Sequence, residues 1–330
     1  MENIKFKENF NNCRTSIYKP ETRQFLLSRI VGSEQETDMS VPSNCDGFGR
    51  IHHFRRNVDK WVQDPLPNDP VCKALEIPYT DVLEAQVFQL ASCNAHCWYC
   101  FVPDELKRGK MVNAKWFTAE QMVELYKKSD TDIRVIDLSG GNPELAPEWT
   151  LDTMKALERN ELQNKVYLWT DDTLTTDYAF EYLSKEELSY MASYRNFGKV
   201  GCFKGFDAHS FAFNSKLPEN MCEKQFERFE RYVDMGLDIY GYVTLTSDNY
   251  DGIEEKMGEF VDRLQKIHPI LPLRTVPLKI FIFTPTGSRL NDRYSMALEN
   301  QTRAIKAWKV ELSKRYSKEQ LAGRISDNTY

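Results

Sequence analysis

The chain has 330 residues, of which 41% are apolar and 28% charged, and a net charge of −6 at neutral pH. That balance suits a globular protein with a sizeable core and excludes a disordered chain, while the acidic excess argues against a broad nucleic-acid-binding face. No stretch reaches the roughly 20 apolar residues of a membrane helix, and the opening Met1-Glu2-Asn3-Ile4-Lys5-Phe6 lacks a signal peptide's apolar region, so a cytoplasmic, membrane-free protein is expected.

Residues 1–80 show no sustained period and many turn residues, among them Val41-Pro42-Ser43-Asn44 and Asp46-Gly47-Phe48-Gly49. The run Asp64-Pro65-Leu66-Pro67-Asn68-Asp69-Pro70 fixes backbone angles and reads as an extended strap that resists helix. The segment is expected to be a mostly irregular N-terminal extension packed on the core. Its His52-His53-Phe54-Arg55-Arg56 cluster reads as solvated or salt-bridged surface.

From residue 81 the pattern is regular. Strands are expected over 82–90, 133–138, 166–170, 199–203, 239–246 and 278–283. Helices are expected over 118–128, 148–160, 178–183, 185–194, 218–235, 250–267 and 296–316. Thr118 with Gln121, Pro147, and Ser184 with Glu187 mark helix starts, and Gly236 marks a stop. Alternating strands and helices imply an α/β fold with a parallel sheet, whose ligands bind in loops at the carboxyl ends of the strands.

The loop after the first of these strands reads Cys93-Asn94-Ala95-His96-Cys97-Trp98-Tyr99-Cys100. Three soft thiolates in eight residues suit an iron–sulfur cluster or zinc. A zinc site would need His96 as its fourth ligand, but His96 adjoins Cys97 and adjacent residues do not easily reach one ion. The remaining cysteines, Cys13, Cys45, Cys72, Cys202 and Cys222, are scattered and read as reduced thiols.

The C-x3-C-x-aromatic-C pattern, with Tyr99 before the third cysteine, resembles the cluster motif of the radical S-adenosylmethionine (radical SAM) enzymes. The resemblance covers about residues 81–290 and implies a partial (β/α)6 barrel. The implied domains are an extension over 1–80, a core barrel over 81–290, and a C-terminal helix and tail over 291–330. It further implies that Cys93, Cys97 and Cys100 hold a [4Fe-4S] cluster whose open iron takes the amino and carboxylate groups of SAM. Reductive cleavage of SAM then yields a 5′-deoxyadenosyl radical that abstracts hydrogen from a substrate, with the electron supplied by a donor such as flavodoxin or ferredoxin. The cofactors supply the difficult chemistry and the protein supplies placement.

The loops after later strands extend the resemblance. Gly140-Gly141-Asn142-Pro143 resembles the family's Gly-Gly-Glu motif, whose backbone binds the SAM amino group; Asn142 stands where the family usually has Glu. Asp171 falls where related enzymes place polar residues near SAM, and Asp172 or Thr173 could instead start the next helical segment. Lys204 is costly to bury without an anionic partner, and the SAM carboxylate would suit it. Activating enzymes of glycyl radical enzymes, such as pyruvate formate-lyase activase, carry Asp-x-Lys here. Lys204 matches the Lys and Cys202 replaces the Asp; Cys202 reads as core or as a redox-active thiol, core being favoured. The proline run at 64–70 adds a short similarity to proteins related to those activases.

The expected function is therefore SAM cleavage with hydrogen abstraction from a protein or peptide substrate, activase-like. One alternative is radical modification of a nucleoside or small anionic metabolite, which Lys107, Arg108 and Lys110 would suit, although these read more readily as loop surface. Another is a non-catalytic cluster- or SAM-binding regulator. Arg289, after the last strand, could pair with an anionic group or with a surface acid.

Overall fold

The computed structural model describes residues 2–59, 61–129 and 131–330. Among these the chain runs α1 (Glu2–Ile17), β1 (Tyr18–Lys19), β2 (Gln24–Ser28), β3 (Gly49–Arg55), α2 (Asn68–Ala74), β4 (Val82–Gln89), β5 (Ala114–Thr118), α3 (Ala119–Lys128) and β6 (Val135–Ser139). It continues α4 (Glu148–Arg159), β7 (Tyr167–Asp172), α5 (Tyr178–Tyr182), α6 (Lys185–Ser193), β8 (Phe197–Phe203), α7 (Ala208–Ser215), α8 (Met221–Asp234), β9 (Ile239–Thr244) and α9 (Ile253–Ile267). Last come β10 (Thr275–Leu278), α10 (Thr284–Gly287), α11 (Asp292–Arg315) and α12 (Lys318–Ala322). No helix among the described residues is long and apolar enough to cross a membrane.

The main sheet has the order β10-β9-β8-β7-β6-β4-β3, parallel throughout except for β3, which runs antiparallel to β4. It curls into a partial barrel, as the sequence implied. Alternation sorts each strand's side chains between two cores. Phe88, Ile136, Leu138, Leu168, Phe203 and Val243 pack outward under the helices. Ala85, Val135, Trp169, Val200, Tyr242 and Val276 pack inward and fill the lower lumen.

The N-terminal 80 residues depart from expectation. They contain α1, and β3 is an integral edge strand of the main sheet. Helix α1 carries no clean apolar period because its buried stripe, Phe10, Arg14 and Ile17, includes a charge, which Glu148 satisfies at 3.0 Å. The proline run is not wholly extended either: Pro70 falls in the first turn of α2, where a missing N–H costs no helical bond. Strand β2 pairs with β5 in a small second sheet.

Later in the chain, α7 precedes α8 and was not foreseen; it is capped by an Asp207–Ser210 box and ended by Lys216 at φ +61°. The expected strand 278–283 is displaced to β10. Its partner β9 ends at Thr244, opposite Leu278, so the apolar run beyond has no neighbour to pair with, and Phe281 and Ile282 are exposed. The gap between β10 and β3 is spanned by the extension. Trp61 Nε1 donates to the Pro277 carbonyl (2.9 Å), Lys279 Nζ to that of Asp59 (2.8 Å), and Tyr242 Oη to Asp64 (2.9 Å). At the upper edge Thr284 N donates to Asp38 (2.8 Å).

Candidate active site

The cysteine loop follows β4 at the carboxyl ends of the parallel strands and is tied down from all sides. Ala91 N donates to the Leu26 carbonyl (3.0 Å), and Gly109 N to that of Ala91 (2.6 Å). Asn94 Nδ2 donates to Thr175 (2.9 Å), Trp98 Nε1 to Asn214 (3.0 Å), and His96 N to the Ser215 carbonyl (2.9 Å). From the last loop, Arg289 Nη1 donates to the Cys100 carbonyl (2.6 Å) and Nη2 reaches Asp104 (3.2 Å). Arg289 thus holds the loop itself. Trp98 stacks on Tyr294 of α11, ring centroids 4.5 Å apart, which brings the C-terminal helix to the site.

Cys93, Cys97 and Cys100 are free, part-accessible thiols. Burial pushes the Cys93 thiol up to about 12, an effect opposed by the Lys107 charge and reinforced by Cys97 and Cys100 close by. Lys107 is buried, meets Asp104 at 3.4 Å and feels the Cys100 and Cys93 thiols, whereas Arg108 and Lys110 are exposed, so the basic run is surface only in part. Lys204 is buried beside Tyr99, Cys202, Cys97 and Cys93. Its ammonium makes no hydrogen bond or ion pair among the described residues. Lys204, with no acid partner among the described residues, and Lys107 nearby fit a thiolate-bound, anionic centre. His96 is exposed, and among the described residues no three His, Cys, Asp or Glu side chains gather as ligands of one ion. The corners of a cluster stand further apart than the ligands of a single zinc.

The glycine loop abuts this one. Gly140 (φ +73°) and Gly141 (φ +65°) sit in the left-handed region, and a Cβ on Gly141 would fall 2.4 Å from the carbonyl oxygens of both Leu90 and Ser92. Asn142 is fully buried; its N donates to the Ser92 carbonyl (2.9 Å) and its Nδ2 to Asn94 (2.8 Å). Its side chain is thereby used in bracing the cysteine loop. Glu144, two residues on, forms a buried ion pair with Lys199, which also approaches Asp172 at 3.6 Å, and accepts from Tyr232 Oη (3.1 Å). Asp172 also accepts from Leu174 N (2.6 Å) and so shapes the turn after β7.

Asp171, by contrast, faces the lumen. Its carboxylate accepts from Ser139 Oγ at 2.6 Å; burial pushes its proton affinity up, while that bond and Lys204 and Arg50 pull it down. Tyr99 Oη lies 3.0 Å from Thr244 Oγ1. Cys202 lies in the lumen and not under the helices, part-accessible next to Lys204 and Asp171, and burial pushes its thiol up to about 12. That keeps it protonated and a poor nucleophile.

Three residues near the site carry no signal in any motif: Arg50, His52 and Asp137. Arg50 and His52 lie on the lumen face of β3, His52 within the cluster read as surface; that reading holds for Arg55, and for His53, which meets Glu84 at 2.9 Å. Burial, with Arg50 adjacent, lowers His52 to about 3, so it is neutral. Asp137 is the charged residue in an otherwise uncharged buried strand, a clue that points to a lumen residue only once its side of β6 is known.

A curled parallel sheet with a three-cysteine loop at its carboxyl mouth defines an α/β-barrel enzyme scaffold with a thiolate centre. The sequence model described as the Radical SAM superfamily matches residues 90–259, more than half of the chain, and the chain belongs to that superfamily. It is therefore an enzyme of a family that uses a [4Fe-4S] cluster and SAM. No curated protein matches it. Among solved structures, Streptococcus suis SuiB bound to S-adenosylmethionine is 15% identical at a TM-score of 0.40, over 55% of this chain and 37% of that one. Native anSMEcpe with bound AdoMet is 15% identical at a TM-score of 0.37, over 57% of this chain and 49% of that one. The match thus spans less than half the length of either.

Proposed function

We propose that Cys93, Cys97 and Cys100 hold the family's cluster and that the chain uses it to cleave SAM and abstract hydrogen from a substrate in the barrel lumen. The cluster and SAM together supply one-electron reductive cleavage and the resulting 5′-deoxyadenosyl radical. Lys204 carries the reading: it is a buried ammonium beside the cysteines with no acid partner among the described residues, and the carboxylate of SAM would complete it. Gly140 and Gly141 offer backbone close to the cysteine loop, Tyr99 packs beside Lys204, and Asp171 is placed to accept from a ribose hydroxyl or ammonium. Asn142 contributes by holding the loop in register.

On the substrate, we favour a small charged molecule. The extension crosses the open side of the sheet through Asp38, Asp59, Trp61 and Asp64, and this is the observation that favours it. The activase-like reading, with a protein or peptide substrate, retains one favouring observation, a Lys204 that matches the activase lysine. A flavodoxin- or ferredoxin-type donor would approach the loop on its His96 side, which is exposed.

The test is anaerobic reconstitution with iron and sulfide, followed by electron paramagnetic resonance of the reduced protein with and without SAM. A [4Fe-4S]+ signal that shifts on adding SAM, release of 5′-deoxyadenosine and methionine, and loss of both in Cys97→Ala are expected. A wild-type protein that yields no such signal overturns the proposal. A glycyl radical raised on a partner protein would decide for the activase reading.

A further inference from the structure

The lumen below the cysteine loop holds a guanidinium and a carboxyl that do not meet. Arg50 of β3 and Asp137 of β6 stand on one row of the sheet, each opposite Val87 of the intervening β4. Both face inward, since Phe54 on the face of Arg50 and Val135 on the face of Asp137 pack in the lumen core. They are only 7% and 3% exposed. Yet among the described residues neither the guanidinium nor the carboxylate has a hydrogen-bond or ion-pair partner, and Arg50 Nε and Asp137 Oδ1 are both shut off from solvent and unsatisfied. Burial and the neighbouring Asp171 push the Asp137 carboxyl well above the usual carboxylate range, so a buried guanidinium and a buried carboxyl both stand without a partner, and a fold keeps such groups where something else completes them.

The surroundings point to a ligand. Strands spaced about 4.8 Å apart put the two Cα atoms roughly 10 Å apart on one face of the sheet. Asp171, two residues above Asp137's row on β7, adds a second carboxylate. The Phe101 ring, next to Cys100, lies 5.2 Å from the Arg50 guanidinium and sets the pair just beneath the cysteine loop. His52 and Cys202 also face the lumen and are part-accessible.

We infer that Arg50 and Asp137 anchor a small zwitterionic substrate of the α-amino-acid class, its carboxylate on Arg50 and its ammonium on Asp137. The planar guanidinium suits a carboxylate through two parallel hydrogen bonds. A ligand with one charge alone would leave either Arg50 or Asp137 buried and unpaired, and that penalty is the basis of selection. The inference rests on the proposed function only in placing the substrate beneath the cysteine loop.

The experiment is isothermal titration of the reconstituted full chain, saturated with SAM, with norleucine, pentylamine and hexanoate, which share a tail and differ in charge. Norleucine is expected to bind at least tenfold tighter than either single-charge analogue. Arg50→Met should reduce norleucine to the affinity of pentylamine, and Asp137→Asn to that of hexanoate. The double variant Arg50→Met, Asp137→Asn should unfold at no lower temperature than wild type, because neither side chain makes a hydrogen bond or ion pair among the described residues and methionine keeps an apolar contact for Phe101. Equal affinities, no norleucine binding at millimolar concentration, competition between norleucine and SAM, or a lower unfolding temperature of the double variant each overturns the inference. The cluster signal separates the failures: its absence in wild type sinks the cluster reading, whereas its presence without charge selectivity sinks this one.

Discussion

Lys199 to methionine is the substitution whose consequence follows most directly from the packing. The Lys199 and Glu144 side chains are 0% and 2% exposed, with Asp172 3.6 Å from the ammonium and Tyr232 donating to Glu144. Removing the lysine leaves two carboxylates together in a dry site, and breaking such a buried pair costs about 3–5 kcal/mol. An exposed pair such as Lys127 with Glu124 is worth under about 1 kcal/mol, so the two are easily told apart. For a chain of 330 residues the loss corresponds to a melting temperature lower by roughly 4–7 °C. Adding Glu144→Gln removes one of the stranded charges, so the double variant should be less destabilised than the two single losses combined, by about 2 kcal/mol. Urea unfolding of the reconstituted protein, wild type and three variants, measures the cycle. A single-variant loss below about 1 kcal/mol, or strict additivity, refutes the reasoning.

Gly141→Ala puts a methyl group against two fixed carbonyl oxygens at a backbone angle that costs alanine about 1–2 kcal/mol before any clash, so the cysteine loop should shift and iron content after reconstitution should fall. Lys204→Met removes a buried cation that the free protein does not pair among the described residues, so SAM affinity should drop by at least about tenfold, the value of a charge-assisted bond, while the unfolding temperature holds. Burial pushes Asp64 up to about 7 against Leu66, Tyr242 and Arg56, which lower it. A carboxyl raised on folding stabilises the protein below its unfolded value near 4, and that contribution is lost as pH rises through 7. Asp64→Asn should therefore match wild type near pH 4 and exceed it at pH 8 by about 2–4 kcal/mol, as urea unfolding at both pH values would show; equal stability at pH 8 counts against the shift.

What the sequence alone determined is local in origin. The cysteine spacing, the Gly140-Gly141 pair and the Thr118 and Ser184 capping boxes lie within a few residues of one another, and the strand–helix alternation follows from side-chain periodicity. Together these were enough for a parallel α/β fold and, through the resemblance carried by the cysteine motif, for the family and its partial barrel. Where local order depended on distant partners, the sequence was silent or misleading. Helix α1 needs Glu148 to neutralise Arg14, β3 needs β4, and the apolar run at 279–283 leaves the sheet because β9 has already ended. The division of charges was likewise decided only in three dimensions. Lys199 and Lys204 are five residues apart, yet one is neutralised under the helices and the other is buried beside the thiols. Arg50 and Asp137, 87 positions apart, became neighbours across Val87 only when an antiparallel strand from the N-terminal extension joined the parallel sheet. Periodicity shows that a strand has two faces; only the closed sheet decides which of them looks into the lumen.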